Sequence, residues 1–121
     1  MMKRIVSGLL VGVWFVMGAA LVSAAPEGGP RVAITRVNGH STDRFDPIVF
    51  RAGEEATVAI QGDGDTGLHL RVFDERNNLI VDDTCQYSRC VVKFTPYWTC
   101  PFTITVENLG AVYNEYRMVA D

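Results

Sequence analysis

From residue 31 onward, apolar and polar side chains mostly alternate. Leu68, Leu70 and Val72 fall on one parity while His69, Arg71 and Phe73 fall on the other. A period of two belongs to extended chain, in which successive side chains point to opposite faces. Segments 31–37, 48–51, 55–61, 67–73, 78–82, 89–95, 102–108 and 113–120 carry this pattern. Between them lie the residues that turns require, including Asn38-Gly39, Gly62-Asp63-Gly64-Asp65, Asn77-Asn78, Pro96-Tyr97 and Leu109-Gly110. Parity also selects an inward set: Val58 and Ile60, Val92 and Phe94, and Phe102, Ile104 and Val106 join the Leu68 row, with Phe73 the misfit. Eight short strands leave no length for a substantial helix. The prediction is therefore an all-β chain, an antiparallel β-sandwich of about eight strands, jelly-roll-like, with antiparallel hairpins and two packed sheets.

The first 24 residues break the alternation. Lys3 and Arg4 precede an apolar run, no charge occurs from residue 5 to residue 25, and Val22-Ser23-Ala24 offers small residues at its exit. This is the anatomy of a bacterial secretory signal peptide, with cleavage expected after Ala24. An uncleaved anchor is the alternative, since 21 uncharged residues at about 1.5 Å each would just span a bilayer core of about 30 Å. The glycines and alanines in the run argue for cleavage. The expected organisation is a signal peptide at 1–24, a flexible Pro- and Gly-rich leader at 25–30 and a sandwich at 31–121. Only before cleavage would the chain contact a membrane, and its destination is the periplasm or the exterior.

Removing the leader sequence changes the charge. The precursor carries 11 basic and 14 acidic residues, but all the acids lie beyond residue 24, so residues 25–121 hold 9 against 14, a net charge of −5. An acidic domain with scattered cations lacks the clustered Lys and Arg of a nucleic-acid binder.

Segment 53–116 resembles the bacterial pre-peptidase C-terminal domain, and more closely the small secreted proteins similar to it. The likeness rests on Gly53-Glu54-Glu55-Ala56-Thr57-Val58, on Gly62-Asp63-Gly64-Asp65-Thr66 leading into 68–74, and on Asn77-Asn78-Leu79-Ile80 with Asp82-Asp83. It continues through Cys90-Val91-Val92-Lys93-Phe94-Thr95-Pro96, Phe102-Thr103-Ile104-Thr105-Val106, Asn108-Leu109-Gly110 and Val112-Tyr113-Asn114-Glu115-Tyr116. The resemblance implies a jelly-roll-like sandwich in a noncatalytic, accessory role beside exported enzymes, with calcium or an extracellular polymer as ligand in some members. The chain departs from the family pattern at Gly67 and His69, where acids are usual, at Phe94, where Trp is common, and at Cys100, where Gly is common.

Candidate chemistry lies in three places. Asp63, Asp65 and Asp74, with Asp82 and Asp83 at lower weight, form the dense carboxylate set that a calcium ion with six to eight oxygen ligands would use. The same residues also serve plain Asx turns, and the spacing fails the EF-hand rule. Cys85, Cys90 and Cys100 allow one internal bridge. A hairpin pairing 89–95 with 102–108 would set Phe94 opposite Cys100 and leave Cys90 offset from it, so Cys85 and Cys90, flanking a short loop, are the expected disulfide and Cys100 the free thiol. Tyr97 and Trp98 at the hairpin tip, with Tyr87 and Tyr113, could form an aromatic platform for a sugar or peptide. Ser41 or Ser88 could be imagined beside His69, but no motif supports nucleophilic catalysis. The sequence thus reads as an exported, noncatalytic binding or accessory module, with calcium as the candidate stabilising ion and an exported protein or extracellular polymer as partner. A periplasmic inhibitor presenting the bridged 84–90 loop to an exported hydrolase is the alternative.

Overall fold

A computed structural model describes residues 25–85 and 87–121. The expected signal peptide at 1–24 lies outside the described residues. Eight strands follow in order: β1 (Arg31–Val37), β2 (Thr42–Phe50), β3 (Ala56–Gly62), β4 (Leu68–Phe73), β5 (Leu79–Thr84), β6 (Arg89–Phe94), β7 (Cys100–Asn108) and β8 (Asn114–Ala120). All eight segments expected from the alternation are strands. β2 starts six residues earlier than expected because Pro47, which cannot donate to a ladder, interrupts the pattern without ending the strand. Its pairing with β7 slips between Phe45 and Ile48 and then resumes, and β2 lies at a sheet edge, where Pro is tolerated.

The strands form two antiparallel sheets, ordered β1-β8-β3-β6 and β2-β7-β4-β5. First pairs with last, β2 with β7, β3 with β6 and β4 with β5. This nested pairing is that of one long hairpin rolled into two facing sheets, a jelly roll. The jelly-roll-like sandwich is as expected, and β4 and β5 alone are both consecutive and paired. The expected hairpin of 89–95 with 102–108 is corrected: β6 and β7 are not a hairpin. β6 pairs with β3, β7 pairs with β2 and β4, and residues 95–99 cross from one sheet to the other.

Parity assigned the faces correctly. Leu68, Leu70, Val72, Val58, Ile60, Val92, Phe102, Ile104 and Val106 are buried between the sheets, and Phe94 packs against them partly exposed. Burying each such side chain favours the fold by roughly 1.5–3 kcal/mol. Rings of Phe50, Phe94 and Phe102 meet with centroids 5.1–5.6 Å apart at one end of this core. The segment expected to be a flexible leader is instead docked: Glu27 N donates to Val49 O at 2.7 Å, Arg51 N donates to Ala25 O at 2.9 Å, and Ala25 is buried.

Because successive strands reverse direction, the connections alternate between two ends. Connections 38–41, 63–67, 85–88 and 109–113 gather at one, tied by His40 N to Gly110 O, Gly62 N to Ser88 O and Leu109 N to Gly67 O. This is the polar end. Connections 51–55, 74–78 and 95–99 gather at the other, the aromatic end.

Candidate functional site

At the aromatic end the crossing from β6 to β7 must leave one sheet and enter the other within five residues. Its base is fixed to the β2–β3 turn: Gly53 N donates to Pro96 O and Ala52 N donates to Thr99 Oγ1, both at 2.9 Å. With the base held, the tip projects. Tyr97 and Trp98 are 94% and 60% exposed, their rings tilted with centroids 6.5 Å apart. Opposite stands the β4–β5 turn, folded around one carboxylate. Asp74 Oδ1 accepts from Arg76 N at 2.8 Å and Asn78 N at 2.9 Å, and its Oδ2 accepts from Asn78 Nδ2 at 3.0 Å. The Asn78 backbone and side-chain donors favour the anion and hold this carboxyl below its usual range.

Between crossing and turn lies a cavity of about 150 Å³. Ile80, Phe94, Pro96, Trp98, Cys100 and Phe102 give it apolar walls, and Asp74, Glu75 and Arg76 contribute the charged side. Cys100 is the free cysteine and is buried. Burial above all, then the nearby charges of Glu75 and Asp74, raises its thiol above the ordinary value. A thiol held protonated in this way lines the cavity as a small apolar group rather than acting as a nucleophile.

The structure separates several residues that the sequence grouped. Asp63 and Asp65 sit at the polar end and Asp74 at the aromatic end, with the length of β4 between them. Asp63 Oδ1 accepts from Asp65 N and its Oδ2 from Glu115 N, both at 2.9 Å, so this carboxylate staples the β3–β4 loop to the start of β8. Asp82 Oδ2 meets His69 Nε2 at 2.7 Å on the outer face of β4 and β5. Among the described residues no three His, Cys, Asp or Glu side chains are grouped as a metal site would need.

The aromatic platform is divided as well. Tyr97 and Trp98 belong to the aromatic end, whereas Tyr87 and Tyr113 belong to the polar end, Tyr113 lying under the Arg36 guanidinium at 4.5 Å. Ser41 Oγ donates to Gly39 O, and Ser88 Oγ donates to Thr66 O at 2.6 Å, so each hydroxyl is committed to a backbone carbonyl.

Cys85 and Cys90 are disulfide-bonded, as expected, although the hairpin used to exclude Cys100 is absent. The bridge joins the end of β5 to the second residue of β6, the edge strands of the two sheets. Sequence reasoning named Tyr97 and Trp98 but missed the cavity behind them. Its walls come from turns and strands about 20 residues apart, and nothing in an alternating pattern places 74–76 beside 95–98. The unpaired third cysteine, Cys100, was the one available hint.

Compared with known proteins, the chain matches no family model and no curated protein sequence.

Proposed function

We propose that this protein is an exported, noncatalytic binding module whose recognition site is the aromatic end. The observation that carries the reading is the exposed Tyr97–Trp98 pair beside an apolar cavity, an arrangement that costs hydration in the free protein and resembles the aromatic anchors of interfaces. An exported protein suits the site better than a polysaccharide. Sugars need convergent polar groups as well as a stacking ring, whereas the depth of this cavity offers Ile80, Phe94, Phe102 and a protonated thiol. One apolar side chain of the partner would fill it, with Tyr97 and Trp98 covering the flanks and Arg76, Glu75 and Asp74 meeting polar groups at the rim. The likeness to pre-peptidase C-terminal domains supports an accessory role of this kind, and the Cys85–Cys90 disulfide suits an oxidising compartment.

An inhibitor that acts through the bridged loop is the second reading, favoured by Tyr87, 90% exposed within the six residues the disulfide closes. One experiment separates the two. The tagged protein, recovered from the exported fraction with whatever it retains, is compared with Trp98→Ala, Tyr97→Ala and Tyr87→Ala. The proposal requires loss of the retained partner with Trp98→Ala and Tyr97→Ala but not with Tyr87→Ala. The reverse pattern would move the function to the disulfide loop, and retention by all three would remove both sites.

A further inference from the structure

A second surface lies on the opposite sheet. The outer face of β1-β8-β3-β6 carries a row in direct register, Val32–Val119–Ala59–Val91, that is apolar across all four strands. The next row is Ile34–Arg117–Gln61–Arg89, and Lys93 beside Thr57 borders the far side. Val32, Ile34 and Val91 are 55%, 79% and 52% exposed. This face collects Arg36, Arg89, Lys93 and Arg117 against two acids, Glu115 opposite Arg36 and Asp121, which exchanges backbone bonds with Thr57 in the row of Lys93 at the far side. None of these four cations, nor Arg31, takes part in an ion pair among the described residues, and the rest of the domain is strongly acidic.

At the rim of this face the backbone is open. Sheet edges are normally covered, because their free N–H and C=O groups recruit other strands. β2 has the docked leader against its end, and β5 and β6 are strapped to each other by the disulfide. β1 has neither. Among the described residues, the one bond that reaches it from outside its own ladder runs from Asn108 Nδ2 to Val37 O at 3.2 Å. Seven residues of edge, with outward Val32 and Ile34 between Arg31 and Arg36, are therefore left uncovered by the described residues.

We propose that β1 is the docking edge for an extended, acidic segment of another exported protein, which adds to the sheet as a fifth strand. Backbone bonds to β1 would supply the affinity, and the side chains beside Val32, Ile34, Arg31 and Arg36 would set the sequence. The register defines the ligand: antiparallel to β1 and centred on Ile34, it carries apolar residues opposite Ile34 and Val32 and acids opposite Arg36 and Arg31. Self-pairing of two β1 edges would bring two such cationic faces together, which opposes a symmetric dimer.

The probe is the capped, labelled peptide Thr-Glu-Thr-Val-Thr-Val-Glu, titrated with the full protein purified from the exported fraction. Its affinity should exceed that of the same peptide with Lys for Glu by at least about tenfold at low ionic strength, and the ratio should shrink as salt is added. N-methylation of one alternating set of peptide amides should abolish binding while the other set is tolerated, because a strand presents alternate amides to each side. Arg31→Glu combined with Arg36→Glu, both on exposed side chains, should reverse the preference between the two peptides while thermal unfolding stays cooperative, at a midpoint lowered by loss of the Arg36 contact with Tyr113 and by the new repulsion from Glu115. The proposal is overturned by equal binding of the two peptides or by tolerance of both methylation patterns. It is equally overturned if anionic phosphatidylglycerol vesicles retain the protein while the peptide does not bind, or if a concentration-dependent oligomer that Ile34→Lys abolishes shows a second copy to be the occupant.

Discussion

Asn114 concentrates more of the polar end than any other side chain there. Fully buried at the start of β8, it donates through Nδ2 to Thr66 O, Thr66 Oγ1 and Ser88 Oγ at 3.0–3.2 Å, and its Oδ1 accepts from Asp63 N at 3.1 Å. Gly62 leaves the room this requires, since a Cβ there would come 2.5 Å from Asn114 Oδ1 and 2.7 Å from Ser88 Cβ. Asn114→Ala strips partners from several buried groups at once, so chemical denaturation should show a loss of about 3 kcal/mol or more. Tyr116 sets a different signal. Its phenol is buried and donates to Asp43 Oδ2 at 2.6 Å, and burial first, with Asp43 second, pushes its pKa well above the ordinary 10.0. Cys100 shifts in the same direction from 9.0. For an acid whose folded pKa is raised, the folded state holds its proton longer than the unfolded state. The stabilisation is complete below the unfolded value and is lost as pH climbs past it. Thermal midpoints should accordingly stay level through neutral pH and fall from about pH 9 upward, and Tyr116→Phe should remove the part of the fall that begins near pH 10. At neutral pH the same substitution should cost about 1–2 kcal/mol, because Asp43 loses its donor. Asp63 makes the third residue-scale case: with both carboxylate oxygens bonded to backbone amides and Asp74 a strand's length away, midpoints in excess calcium and in chelator should coincide. A higher midpoint in calcium would show an ion bound to the native state.

Among the elements, the disulfide-linked pair β5 and β6 has the clearest energetic consequence. The bridge closes a short loop between the edges of two sheets that share no ladder at that point. Loop-closure entropy for so few residues amounts to about 2 kcal/mol. Replacing Cys85 and Cys90 together by Ala should lower the thermal midpoint by on the order of 10 °C in a domain of this size. A shift of less than a degree would mean that packing of β5 against β6 holds that edge without the bond. The strands were legible in the sequence because a half-buried strand writes its own alternation, and Leu68, Leu70 and Val72 could be assigned inward from parity alone. Their partners were not legible. Parity says which way Cys90 and Phe94 point but not that β6 lies against β3, and the nearest partner in sequence was the wrong one for every pair except β4 and β5. The candidate site inherits that limit: Tyr97 and Trp98 stood out as a turn dipeptide too apolar for its position, while Ile80 and Glu75 join them only through the rolled topology.

The whole molecule is organised by how far apart its paired strands lie along the chain. Arg31 pairs with Ala120, so the outermost ladder closes across nearly the entire described chain, whereas β4 and β5 close across a single turn. The two members of the outermost pair are unequally anchored. β8 buries Asn114, Tyr116, Met118 and Ala120 and is flanked on both sides, while β1 buries only Val37 and is flanked on one. Detaching β1 therefore exposes little apolar surface, and detaching β8 would open the core. Native-state hydrogen exchange reads this difference directly, since each amide reports the smallest opening that frees it. The amides of β3, β4, β7 and β8 that bond within their sheets should exchange last, near the rate set by global unfolding. Those of β1 bonded to β8 should exchange orders of magnitude sooner, through local release of the edge. A strand that is ordered yet cheaply detached can adjust its register to an incoming segment without loss of the sandwich, so an acidic peptide that adds to β1 should slow β1 exchange while leaving β4 and β7 unchanged. Equal protection of β1 and β8 in the free protein would show instead that the edge is locked, and that the fold closes as a single cooperative unit through its termini.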